Sequence, residues 1–95
     1  MMNQDQDEWT RKIANHVGAR IEAERSKHGL SREALAKSIG VRYNAVSDWE
    51  NGARLPKLES LLLLTQAFGF RSVEELLGGP FGTQRLLEGR RLEGA

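Results

Sequence analysis

The sequence predicts a compact all-α domain of five helices, and three observations carry that expectation. Apolar residues recur at helical spacing, as at Trp9, Ile13, Val17 and Ile21 or at Leu35, Ala36 and Ile39. Glycines stand where those patterns break, at Gly29, Gly40, Gly52 and Gly69. Residues that cap helix starts precede the patterns, at Asp7, Ser31 and Ser72.

Taken in order, residues 1–7 are polar and expected to be disordered, with Asp7 closing them as the cap of the first helix. That helix carries the stripe from Trp9 to Ile21, read as packing residues, and ends at Gly29. Ser31 caps the second helix, Leu30 and Leu35 stand at the spacing of a hydrophobic staple, and Glu33 lies in the first turn, where the helix dipole favours negative charge. The third helix is introduced by Val41 and Arg42, buries Val46 and Trp49, and ends at Asn51-Gly52. Arg42 takes the N-cap position in place of a Ser, Thr, Asp or Asn, which costs about 0.5–2 kcal/mol. A side chain kept for a ligand gives that cost a motive.

Pro56 precedes the fourth helix, Leu58 to Phe68, which is apolar on nearly all sides and is therefore expected to lie central to the core or to lend a face to a partner chain. After Gly69, Ser72-Val73-Glu74-Glu75 is a capping box that opens a short fifth helix through Leu77. The folded domain accordingly runs over 8–78. Gly78-Gly79-Pro80 then marks a change of composition to a tail, 79–95, with Phe81, a helical turn at Thr83 to Glu88 and Arg90-Arg91; it is read as a dimerisation or partner segment.

The second and third helices meet at Gly40 within Arg32 to Asn51. A chain that turns sharply between two helices needs one position with positive φ, which glycine adopts without strain. Ala36 supplies the small side chain that two closely crossing helices need. Together these positions form a helix-turn-helix pattern.

Composition excludes more than it selects. There is no cysteine, so disulfides, thiolate zinc sites and thiol nucleophiles are ruled out. His16 and His28 are read as solvent-exposed, without partners at metal-ligand spacing, so neither a metal nor another cofactor is expected. No nucleophile stands beside a base and no glycine-rich phosphate loop is present, so the chain is not expected to be an enzyme. The longest apolar run, Leu61 to Leu64, is too short for a membrane span and the acidic start is unlike a signal peptide; a cytoplasmic location is expected. The net charge of +1 is uneven: residues 30–57 carry five Lys/Arg against three Asp/Glu, while the flanking segments are balanced or slightly acidic. The excess lies in the helix-turn-helix, the direction that nucleic-acid binding requires.

From about Val17 to Leu77 the chain resembles the Xre family of helix-turn-helix proteins, which includes the Cro and phage repressor DNA-binding domains. The matching residues are Arg20-Ile21, Arg25, Gly29-Leu30-Ser31, Leu35-Ala36, Ile39-Gly40-Val41, Val46-Ser47, Trp49-Glu50-Asn51-Gly52, Pro56, Leu61 and Val73-Glu74-Glu75-Leu76-Leu77. The resemblance implies that the second and third helices read double-stranded DNA. It also implies that Arg25 and Glu50 form a structural pair across the domain interior. Arg32, Arg42 and Asp48 depart from the family, which usually has glutamine, a small hydroxyl residue and often a basic residue there, so no target sequence carries over.

A recognition helix lies in the major groove with its N-terminal residues on base edges. Opposite Val46 and Trp49, that face holds Arg42, Tyr43, Asn44, Ser47 and Asp48, the expected base readers: Asn44 suits adenine, Arg42 guanine or phosphate, and Asp48 the cytosine amino group. Arg32, Lys37, Arg54 and Lys57 are expected on phosphates. The function expected is a sequence-specific regulator of transcription, most simply a repressor, acting as a homodimer on a two-fold symmetric operator. Dimer contacts in relatives often use the fifth helix and the segment after it, which makes Leu76, Leu77 and Phe81 the candidates. The competing expectation is a protein-interaction module, such as an antitoxin that masks a toxin or an adaptor, binding through the leucine-rich fourth helix and the tail.

Overall fold

The structure, a computed structural model, describes residues 4–88, with side chains from Asp7 onward. Six helices follow one another: α1 Gln4–Lys27, α2 Arg32–Ile39, α3 Tyr43–Glu50, α4 Leu58–Ala67, α5 Val73–Leu76 and α6 Gly79–Leu87. The all-α class is as expected, and the helix count rises by one.

Each of the first five helices sends one side chain to the centre of the core. Ile21, Leu35, Val46, Leu64 and Leu76 are all 0% exposed. Val17, Ala36, Ile39, Trp49 and Phe68 close around them. Enclosing one such aliphatic side chain contributes about 1.5–3 kcal/mol, so this shared centre fixes the helix-turn-helix against α1, α4 and α5.

The same pair of backbone bonds closes α1, α2, α3 and α4: the glycine after each helix bonds back three residues, and its successor bonds back five. At the end of α2, Gly40 takes φ 74° and ψ 32°, and Val41 N–H donates to the Ala36 carbonyl at 2.9 Å. A β-carbon in that left-handed conformation would be strained, so glycine sets the abrupt change of direction between α2 and α3. Gly18, inside α1, has a different duty. A β-carbon there would run into the Trp49 carbonyl oxygen, so α1 and the end of α3 meet backbone to backbone.

The N-terminus departs from expectation. Helix α1 is already formed at Gln4 rather than starting after Asp7. Four α1 side chains on one face donate to carbonyls at the ends of α5 and α6. They are Trp9 Nε1 to Leu86 (2.8 Å), Lys12 Nζ to Arg85 (2.8 Å), His16 Nε2 to Leu77 (2.5 Å) and Arg20 Nε to Leu76 (2.9 Å). His16 is therefore half-buried and bonded, contrary to the solvated reading; His28 is exposed, as expected, and stacks near Phe68.

The tail is a helix over Gly79–Leu87, where a single turn had been expected. Pro80 occupies its first turn, a position where the missing N–H costs nothing, so Gly-Gly-Pro starts an element rather than ending the fold. Arg90 and Arg91 lie outside the described residues. Helix α4 also differs from the central position allowed for it: Leu64 is enclosed, while Leu58 is 69% and Leu62 53% exposed. Ser72 Oγ accepts from Glu75 N–H at 3.3 Å, but the Glu75 carboxylate reaches Arg71 N–H instead of completing a reciprocal box. No helix among the described residues is long and apolar enough to cross a membrane.

Candidate nucleic-acid interface

The end of α3 is anchored by one buried carboxylate. The Glu50 side chain is 0% exposed and takes two hydrogen bonds from Arg25, Nε to Oε2 at 2.6 Å and Nη2 to Oε1 at 3.0 Å. Arg25 Nη1 also donates to the Leu30 carbonyl at 2.8 Å, which ties the end of α1 to the loop before α2. A buried charge is tolerable only when paired and bonded in this way. The guanidinium pKa of Arg25 is raised above the ordinary arginine value, first by its hydrogen bond to Glu50.

Arg32, expected on a phosphate, joins the same carboxylate. Its Nε donates to Glu50 Oε1 at 3.0 Å and its Nη1 to Ser47 Oγ at 3.3 Å. Its pKa too is raised, first by Glu50 and then by Tyr43. The first residue of α2 is thus clamped to the flank of α3. Two guanidinium groups on one carboxylate leave the cluster net positive beside α3.

Of the expected base readers, Arg42, Tyr43 and Asn44 are exposed together at the start of α3. Arg42 holds the N-cap geometry, φ −79° and ψ 151°, with no side-chain cap bond, and its carbonyl accepts from Ala45 N–H at 3.0 Å. Ser47 and Asp48 lie a turn further along and are half-buried. Ser47 Oγ accepts from Arg32 and, at 3.4 Å, from Asn51 Nδ2. Asp48 faces Arg54 at 3.8 Å, a loose and exposed pair that partly offsets its negative charge.

The expected phosphate contacts are less concentrated. Lys37 is exposed in the last turn of α2, and Arg54 and Lys57 are exposed on the segment leading to α4, which lacks a side-chain cap. Leu76, one of the dimer candidates, is withdrawn: it is fully enclosed in the core, where a short helix spends its single inward position. Phe81 is 81% exposed and Leu77 half-buried. Sequence reasoning missed Gly18 and the second hydrogen bond to Ser47. A glycine inside an apolar helical pattern is the signal for the first, since it marks a close backbone approach. Among the described residues no group of three or more His, Cys, Asp or Glu gathers where it could hold a metal.

Comparison with known proteins places this arrangement. The helix-turn-helix family profile matches residues 21–76, from the core of α1 to the end of α5. Repressor protein C2 of Salmonella phage P22 is 41% identical over 51 residues, covering 54% of this chain and 24% of the repressor. The HTH-type transcriptional activator BcrR of Enterococcus faecalis is 36% identical over 55 residues, 58% of this chain and 26% of the activator. An uncharacterized HTH-type transcriptional regulator of Sinorhizobium medicae is 30% identical over 70 residues, 67% of this chain and 50% of that protein. The chain thus spans a quarter to half the length of these relatives.

Proposed function

The chain belongs to the Xre-type helix-turn-helix family, and from that premise we propose that it is a sequence-specific double-stranded DNA-binding regulator of transcription that reads the major groove with α3. The observation that carries the reading is the exposed trio Arg42, Tyr43 and Asn44 at the start of a helix whose opposite face, Val46 and Trp49, is locked in the core. A side chain reads a base edge only if its helix cannot roll, and the Arg25–Glu50–Arg32 cluster supplies that rigidity. Lys37, Arg54, Lys57 and the free amides at the start of α4 would hold phosphates on either side.

The proposed state is a homodimer on a two-fold symmetric operator with half-sites about 34 Å apart. Phe81, which α6 holds out in solvent, is the proposed dimer contact together with Leu77. Repression is the assigned output, since occupying an operator is enough to produce it. The relatives include one named repressor and one named activator, so a reporter assay with and without the protein checks the sign. Anisotropy titration over genomic fragments tests the reading. Selective binding is expected, lost in the Tyr43→Ala, Asn44→Ala double variant, whereas Lys57→Ala weakens all fragments alike and lowers the salt slope by about 0.9.

A second reading is favoured by Leu58 and Leu62, which α4 leaves in solvent four residues apart. An antitoxin or adaptor would use that pair to grip a protein such as a toxin. Co-purification from the host distinguishes it, and it is compatible with DNA binding by α3.

A further inference from the structure

Serine on a recognition helix is normally ambiguous, because its hydroxyl can donate to a base acceptor or accept from a base amino group. Ser47 does not have that freedom. Its oxygen has two lone pairs, and two donors already approach it: Arg32 Nη1 at 3.3 Å from α2 and Asn51 Nδ2 at 3.4 Å from the end of α3. Ser38 and Thr65, by contrast, spend their protons on carbonyls of their own helices, at 2.8 Å and 2.7 Å. Ser47 has no such bond among the described residues, so its proton remains available on the half-buried flank of α3.

We propose that Arg32 is a specificity-determining positioning residue that makes Ser47 a donor-only reader. It does so by filling, with Asn51, the acceptor positions of the Ser47 hydroxyl while it is itself held by Glu50. The base facing Ser47 must then offer an acceptor: purine N7, guanine O6 or thymine O4. Cytosine presents its amino donor and is rejected, because two donors would face each other. The clamp also takes Arg32 away from phosphate; its Nε and Nη1 are both committed inside the protein, and its side chain is 28% exposed. This assignment rests on the proposed reading of DNA by α3.

The test compares the full chain with Arg32→Met and Ser47→Ala on its preferred duplex. Each of the four bases is placed in turn at every half-site position, and the affinity is measured across a salt series. Wild type should disfavour cytosine at one position by about three- to tenfold, the worth of one hydrogen bond against an unsatisfied pair. Both variants should lose that discrimination, Ser47→Ala at that position alone and Arg32→Met together with any contribution of its partner Tyr43, with the salt slope unchanged. An Arg32→Met chain that keeps the cytosine rejection but lowers the salt slope by about 0.9 overturns the proposal, since Arg32 is then a phosphate contact. Ser47→Ala, which leaves the charge cluster intact, decides the matter if Arg32→Met does not fold: retained rejection overturns the proposal, and its loss supports it. A wild-type chain with no preferred duplex overturns the parent reading, and this inference with it.

Discussion

At the scale of the residue, Glu50 is the side chain on which the proposed reading surface depends. It is a carboxylate with no exposure, satisfied by two arginines from different helices. Removing its charge strands both. Glu50→Gln, which keeps the volume, is expected to lower stability by about 3–5 kcal/mol in urea unfolding, well above the effect of a typical surface change. The arginine side of the pair behaves differently with pH. The folded-state pKa of Arg25 is raised, so its contribution is complete below the ordinary arginine value and is lost only as pH rises through the still higher folded value. The stability difference between wild type and Arg25→Gln should therefore be the same at neutral and mildly alkaline pH, when measured as paired urea midpoints. The Arg25–Glu50 pair was implied in the sequence by resemblance alone. Arg32 as its third member was not legible, because a guanidinium at the start of a helix reads equally well as a phosphate contact until the depth of Glu50 is known.

At the scale of the element, helix starts and stops were written more plainly than helix lengths. Ser31 caps α2 by accepting from Ala34 N–H at 3.0 Å, and Gly40 ends it in the left-handed conformation, both from local chemistry that a short window of sequence contains. Helices α1 and α6 are joined through bonds between residues more than seventy positions apart, Trp9 to Leu86 and Lys12 to Arg85. No local pattern carries that information. Helix α3 shows the same division: its inward residues were legible from spacing, but its poor cap acquires meaning only from what it faces. Replacing Arg42 by Asp should add roughly 1 kcal/mol of stability through a side-chain bond to a free first-turn amide, and at the same time weaken DNA binding at least tenfold. Thermal unfolding and anisotropy on the same sample check the two directions. A variant that gains stability without losing binding would remove the functional motive for Arg42.

At the scale of the whole molecule, a five-part apolar centre holds the proposed reader on one side, and α6 displays Phe81 away from the core. The all-α architecture was legible because periodicity, glycines and caps agreed with one another. The outward pose of Phe81 was not, since an aromatic after Gly-Gly-Pro serves a core or a surface equally well. If Phe81 joins two copies, Phe81→Asp should convert the dimer to monomer in light scattering and reduce operator affinity, while the helical signal is unchanged. Everything proposed for the molecule turns on α3 reading DNA sequence, and selection of bound duplexes from a random pool at near-physiological salt is the decisive measurement. One enriched motif with two symmetric half-sites about 34 Å apart is expected, absent when Tyr43 and Asn44 are both alanine. Recovery of unenriched duplexes by the wild-type chain, or the same motif from the double variant, would refute it.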